Sequence, residues 1–486
     1  MSSSQQSALD GLEPKIIWDL FSQISKIPRK SKQEEKIRSW VKKWAEENQI
    51  DFKEDSIGNL LLVAEPSTGC EDFPGVILQG HLDMVAQKDS SSTHDFDTDP
   101  IPVQVEKDYV TANGTTLGAD NGIGVAMALA SLIDPTLQHG PLEVLLTIDE
   151  ETGLTGALGL EHGFFSHKFL FNLDSGDEGE ITISSAGGGD SRITLPLTRK
   201  AFDGYTGFNI YVKGLIGGHS GVDIHLSRKN AIQLLVEGLD ILGKDIKLIL
   251  SYISGGTAHN AIPRDASAEI LVLNTEVASF QMNFENWKEI IDRYKSQEPS
   301  LKVLLTETQV QEGIENSSEV IRLIEKLPHG VVSHSKSIPN LVETSNNLAV
   351  VTTASDTVEI KISTRSSINS ELDRVRKEIR DITERTKASV DQGPAYTGWE
   401  PDLESPFLHL VQKVYKREYK KSVELKAIHA GLETGLFKGI DPELHCVSIG
   451  PEIKDAHSPS ERVYISSVDM IWRVVKSVLT EINSLK

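Results

Sequence analysis

Cysteine is nearly absent from this chain. Cys70 and Cys446 are the only two in 486 residues, and neither sits in a CxxC pair, so no disulfide framework can be built. That usage suits a reducing compartment. Long apolar runs are missing too: the longest stretch, Val125–Ile133, falls far short of the roughly 20 residues a membrane span requires. The opening segment MSSSQQSALDGLEPK has no basic start followed by an apolar core, so a secretory signal is not expected. Basic charge is in deficit, with 49 Lys+Arg against 71 Asp+Glu and a net charge of −22. A surface of that sign is unsuited to nucleic acid or to anionic membranes. With 38% hydrophobic and 25% charged residues the chain reads as a folded, cytoplasmic protein of two or three domains.

Helix and strand patterns alternate, which predicts an α/β architecture. Ser31 with Glu34 three residues on reads as a capping box, opening a helix with Ile37, Trp40, Val41 and Trp44 on one face. Strand-length apolar runs recur at 59–63, 76–78, 144–148 and 169–173, with a helix over 121–133 between two of them. Beyond the glycine run Gly187–Gly189 the pattern changes to strands near 208–212, 268–273, 348–351 and 358–363, and helices over 232–242, 318–327 and 370–386. That order suggests a small α+β domain with an antiparallel sheet. The expected organisation is a first α/β domain, its sheet covered by helices, built from 1–189 and 392–486 and interrupted by an inserted domain over 190–391.

The chemistry-bearing residues sit at the ends of the apolar runs. His81 and Asp83 in QGHLD are two apart, so on a strand both project to one side, the arrangement by which a carboxylate orients a metal-binding imidazole. A solvated loop pair is the plain alternative. Asp120 in LGADNGIG falls at a helix start, where an N-cap role competes. Asp149, Glu150 and Glu151 follow a buried strand in a row, either as a solvated acidic turn or as a cluster that a cation makes tolerable. Asp174 ends a fourth run, and His457 follows a short strand near the far end of the chain. Ligand-binding groups in open α/β sheets gather at the carboxyl ends of strands. A mixed set of His81, Asp120, Glu150, Glu151, Asp174 and His457 suits zinc, manganese or cobalt in a catalytic site, and two ions would use all of it.

These motifs resemble a known family. GHLDMV, GADNGIG, DEETG, NLDS, GGHSG and AHSP are similar, in order, to the M20 metallopeptidases. Within them TTLGADNGIG, HGPLEVLLT, GGTAHNAIPR, HAGLETGLF and SIGPEI resemble the aminoacyl-histidine dipeptidase branch. The resemblance covers nearly the whole chain. It implies a phosphorylase/hydrolase-like catalytic domain and a ferredoxin-like lid domain that also makes a homodimer. It further implies two divalent ions per subunit, zinc first, bridged by Asp120. Glu151 and His457 would complete one site, His81 and Asp174 the other. Glu150 would be the general base and Asp83 the partner orienting His81. His219 in GGHSG would stabilise the oxyanion, often from the partner subunit. Asn260 and Arg365 would hold the substrate carboxylate and Glu433 the free amino group. A cis peptide at Asp120–Asn121 is implied as well. Thr434 stands where branch members tend to carry Cys.

The expected activity is hydrolysis of unblocked dipeptides, Xaa-His and β-alanyl-histidine among them. The nearest rivals are an amino-acid deacylase or a tripeptidase of the same family; a deacylase has no substrate amine to capture. A non-catalytic metal- or peptide-binding protein would be expected to lack the base, and Glu150 is present. Metal-independent glycoside hydrolysis leaves His81 and His457 without a purpose.

Overall fold

The computed structural model describes residues 8–339 and 341–485. They form two compact units. The first comprises the residues up to Ser185, then Trp399–Ala427 and Leu432 onward; the second comprises Ala186–Gly398 and Ile428–Gly431. Residues 186–189 and 392–398, placed with the first domain on sequence, thus belong to the second unit. The reason is pairing: Gly187 already aligns with Ser366, and the Gly188 and Tyr396 backbones bridge.

The first unit is built on an eight-stranded sheet. Its strands are β1 (Asp51–Glu54), β2 (Leu60–Ala64), β3 (Val76–His81), β4 (Leu142–Thr147), β5 (Phe169–Asn172), β6 (Glu180–Ser185), β7 (Glu424–Ile428) and β8 (His445–Ser448). Their order across the sheet is β1-β2-β4-β3-β5-β8-β6-β7. β4, β3, β5 and β8 run parallel, whereas β2 and β6 join antiparallel. Every residue of β3 and β4 is buried, as expected of parallel strands covered by helices. α1 (Lys15–Ile24) packs on α2 (Ala119–Ile133), which lies against β3; α3 (Pro406–Tyr419) lies against β8 and packs on α4 (Ile465–Glu481). α2 is apolar nearly all round and buried from Asn121 to Ser131, so it is a core helix rather than a surface one.

The helix expected from Ser31 instead spans Glu35–Glu47, and its capping box does not form. Glu34 turns its carboxylate to the Lys32 and Asp149 backbone N–H groups, and the Ser31 hydroxyl donates to Asp83. Long-range partners outcompete the local cap.

The second unit is α+β. A nine-stranded sheet, antiparallel throughout its pairings, includes strands Gly187–Pro196, Tyr205–Lys213, Leu248–Gly255, Ala266–Leu273, Val342–Thr353 and Thr357–Ser366, with Lys302–Thr308 at one edge. Helices Ala231–Leu242, Val277–Asp292, Ser317–Lys326 and Asn369–Thr383 cover it around a core that includes Phe208, Phe280 and Trp287. The helix Val277–Asp292 and several strands are additional to those expected. Among the described residues no helix is long and apolar enough to cross a membrane.

His329 sits within this unit as a neutral acceptor: its Nδ1 faces the Asn230 amide at 3.2 Å and the Leu348 N–H at 3.3 Å. Burial holds its pKa down to about 4, against 6.5 in an open chain. Between those values the unfolded chain binds a proton that the folded one does not, so stability falls as pH drops from about 6.5 to about 4. Urea denaturation across this range is expected to show that slope, and His329→Asn to flatten it.

Candidate active site

Because β3, β4 and β5 are parallel, their carboxyl ends share one sheet edge, and the residues following them converge there. β3 delivers His81, the turn after β4 delivers Glu150 and Glu151, and β5 leads into Asp174. Asp120 arrives on the first turn of α2, and His457 on the loop between β8 and α4. Asp120 is not an N-cap: Gly118 occupies that position, and Asp120 has non-helical φ/ψ. Its peptide bond to Asn121 is cis.

The side chains form two groups that share one residue. His81 Nε2 lies 3.1 Å from Asp120 Oδ1 and 3.3 Å from Asp174 Oδ1. His457 Nε2 lies 3.0 Å from Glu151 Oε2 and 3.3 Å from Asp120 Oδ2. Asp120 therefore gives one oxygen to each imidazole. Both triads have metal-ligating geometry, as does a third grouping of His81 with Glu150 and Glu151. Asp149, next to them in sequence, is not part of this set: it turns to the hydroxyls of Thr152 and Thr155, with a left-handed φ of 47°.

The electrostatics explain what the site needs. Burial works against charge on His81, yet Asp174, Asp120 and Asp83 hold its imidazolium well above the usual range. Hydrogen bonds with Asp120 and Glu151 push His457 up to about 11. Burial lifts Asp174 to about 7 although His81 opposes it. Burial also raises Glu150, with repulsion from Asp174, Glu433 and Glu151 adding to it and His81 opposing. Asp120 goes the other way: burial opposes its charge, but His457 and His81 outweigh that. The raised imidazoles of His81 and His457 offset the crowded negative charge here, and among the described residues Glu151 Oε1 is buried without a hydrogen-bond partner. A hard or borderline divalent cation, competing for those protons, fits this donor set.

A layer of buried groups fixes the ligand-bearing segments, and most of it was invisible in the sequence. Asp83 Oδ1 faces His81 Nδ1 at 3.3 Å and accepts the Glu150 N–H at 3.0 Å, while its Oδ2 accepts from Ser31 at 2.8 Å. Burial opposes its charge, but His81 and these donors hold Asp83 down at about 2. Arg29, wholly inside, donates to the carbonyls of Leu82, Asp83 and Gly118. Gly118 has a φ of 70°, and a Cβ there would lie 2.6 Å from the Arg29 guanidinium, so both conformation and space demand glycine. Glu461 accepts four successive backbone N–H groups, from Leu117, Gly118, Ala119 and Asp120, at 2.8–3.2 Å. Glu461 follows His457 by four residues, which ties the two loops together. No local sequence pattern marks Arg29 or Glu461; a lone Arg or Glu in a polar stretch reads as surface.

Glu433 begins the helix Glu433–Ile440 and is buried beside this cluster, with Gln79 and Thr147 donating to its Oε2 at 2.6 and 2.8 Å. Burial raises its pKa to about 7, and the nearby Asp174 adds to this against His81, Thr147 and Gln79.

His219, Asn260 and Arg365 belong to the second unit. His219 lies on a two-residue strand paired with Ala261–Ile262 and is half-buried rather than a free glycine turn. Its Nδ1 accepts the N–H groups of Gly221 and Val222 at 3.2 and 3.1 Å, so the neutral ring carries its proton on Nε2. Burial and then Arg365 lower its pKa, favouring that neutral form. The Asn260 carbonyl accepts from Ser220, which joins its loop to the His219 turn, and Arg365 is held by the Tyr396 hydroxyl at 3.3 Å.

The family profile "Peptidase family M20/M25/M40" matches residues 77–481. The chain belongs to this family. It is accordingly an enzyme that hydrolyses peptide bonds. Among its M20 relatives, the cytosol non-specific dipeptidase of Escherichia coli (strain K12) is 41% identical over 481 residues, covering 98% of this chain and 99% of that one. The crystal structure of aminoacylhistidine dipeptidase from Vibrio alginolyticus superposes with a TM-score of 0.92 at 37% identity, over 99% of both chains. A tripeptidase structure from Staphylococcus aureus shares the fold at a TM-score of 0.57 and 15% identity, covering 97% of this chain and 99% of that one.

Removing the Glu461 carboxylate strands four buried N–H groups. Glu461→Ala is therefore expected to cost about 3 kcal/mol or more, read as a shift in the denaturation midpoint.

Proposed function

We propose that this chain is a dinuclear metal dipeptidase of the cytoplasm acting on unblocked dipeptides, Xaa-His and β-alanyl-histidine among them. The observation that carries the reading is the division of Asp120 between two imidazoles, each with a further carboxylate. The full-length likeness to a dipeptidase and to an aminoacylhistidine dipeptidase supports the substrate class.

In this reading Asp120, His81 and Asp174 would hold one divalent ion, and Asp120, Glu151 and His457 a second, zinc before cobalt or manganese. Bound ions of this kind supply Lewis acidity at the scissile carbonyl and a water of lowered pKa. Glu150, whose pKa burial raises well above the usual carboxylate range, is the group that takes the proton of the attacking water and passes it to the leaving amine in this reading. Asp83 holds His81 in register and anchors the Glu150 turn through its N–H. The Nε2–H of His219 is the proposed donor to the oxyanion, from its own chain or a partner's. Arg365 and Asn260 would bind the substrate carboxylate, and Glu433 the free amine. A deacylase or tripeptidase is the second reading; a carboxylate provided for an amine favours the dipeptidase over the deacylase.

A homodimer through the second unit is also proposed. Strand Lys302–Thr308 ends its sheet, and the cross-strand pair Tyr211 and Leu304 is exposed beside it, an edge suited to a second copy.

Chelation is expected to abolish dipeptide cleavage and added zinc, cobalt or manganese to restore it, in a panel that includes a tripeptide and an N-acetyl amino acid. Glu150→Gln should lose about 100-fold or more in kcat while retaining its metal content. Full activity in the chelated protein or in that variant would sink the mechanism. Preferential cleavage of the N-acetyl substrate would point to the deacylase. Asp120→Ala is expected to lower the stoichiometry of both ions in a metal titration, whereas Asp174→Ala should spare one.

A further inference from the structure

A continuous row of buried polar side chains crosses the catalytic sheet one step beneath the proposed ligands. Gln79 precedes His81 by two residues on β3, and Asn172, the last residue of β5, precedes Asp174 by two. Along β3 that spacing keeps the same face, about 7 Å lower. The residues of the row are register partners: Gln79 aligns with Asn172, Asn172 with Ser448, and Ser448 with Thr182. All four are buried in a sheet where apolar side chains would be the default. Such a row is tolerable only when every member is satisfied.

Its hydrogen bonds have a forced direction. The Asp174 backbone N–H can only donate, and it meets Asn172 Oδ1 at 3.3 Å. Asn172 Nδ2 therefore faces Gln79 Oε1, at 2.5 Å, and Gln79 Nε2 is left to donate to Glu433 Oε2, at 2.6 Å. Ser448 donates to the same Asn172 Oδ1, so its hydroxyl accepts from Ser175 at 2.8 Å. Each donor in the chain points toward Glu433. Thr147 adds a second donor to Oε2 at 2.8 Å. The outcome is asymmetric: Oε2 is occupied, while Oε1 is buried with no hydrogen-bond partner among the described residues.

We propose that Gln79 and Asn172 are positioning residues that make the site select substrates with a free ammonium group, by saturating one oxygen of Glu433 and reserving the other. The inference rests on the reading that Glu433 meets the substrate amine. A protonated amine completes Oε1; an acylated or desamino substrate has no donor there and leaves it stranded, the asymmetry by which hydrogen-bonding sites reject analogues.

Asn172→Asp tests this with almost no change of volume. The carboxylate keeps both acceptor contacts, to Ser448 and to the Asp174 N–H, loses the donor and adds a negative charge, which the neutral Gln79→Met variant controls for. Gln79 must then turn its amide and present oxygen to Glu433. The measurement is kcat/KM on alanyl-alanine against propionyl-alanine, which differs by the amine. Wild type should favour alanyl-alanine strongly. Asn172→Asp and the apolar Gln79→Met should each cut that preference by about 10-fold or more, chiefly through KM, with metal content retained. Glu433→Gln should do the same, and adding Asn172→Asp to it should reduce the preference no further. Variants that keep the wild-type preference, or losses that multiply in the double variant, would overturn the row's role. No preference for the amine in wild type would instead overturn the reading of Glu433 itself.

Discussion

Four carboxylates, Asp120, Glu150, Glu151 and Asp174, are brought together with two imidazoles at the ends of parallel strands, and their mutual repulsion is the constraint that the rest of the first unit serves. The crowding raises the pKa of both histidines, and burial lifts Asp174 to about 7. The arrangement is stable only because the backbone that carries it is tied from outside. Arg29 joins the His81 and Gly118 segments, Asp83 clasps the turn after β4, and Glu461 gathers the four N–H groups that lead into Asp120. These contacts spend buried charge on backbone groups, which fixes the direction of the proposed ligands without competing for them.

Beneath that layer the sheet departs from an apolar core. The amides of Gln79 and Asn172 and the hydroxyls of Ser448 and Thr147 form a directed chain ending on Glu433. On β3 the proposed ligand His81 lies above Gln79 because side chains two apart share a face. The second unit uses the same economy in smaller form: two backbone N–H groups on His219 Nδ1 decide which ring nitrogen can donate.

Much of the site was legible because its chemistry sits at strand ends in short motifs. Spacing marked His81 with Asp83 and the row Asp149-Glu150-Glu151 as candidates beside a solvated alternative for each, and the family resemblance supplied their expected roles. Spacing could not divide the row, since Asp149 leaves it through a left-handed φ and two threonine hydroxyls. The capping box at Ser31 and Glu34 was a sound local pattern that lost to distant partners, Asp83 and the Asp149 N–H. Glu461 and Arg29 carried no signal, because a lone charge acquires meaning only from what folds around it.

The sequence by itself determined the class of protein: acidic, poor in cysteine, alternating in helix and strand, with histidines and carboxylates at the ends of buried runs and motifs of a peptidase family. Those features are local, set by composition and by spacing of two or three residues. The tertiary structure decided which oxygen of Asp120 faces which histidine, which carboxylates stand apart, and which way the amides of Gln79 and Asn172 point. Those depend on contacts between residues up to 354 positions apart, as in the bond from Gln79 to Glu433, and no local spacing encodes a direction across a sheet.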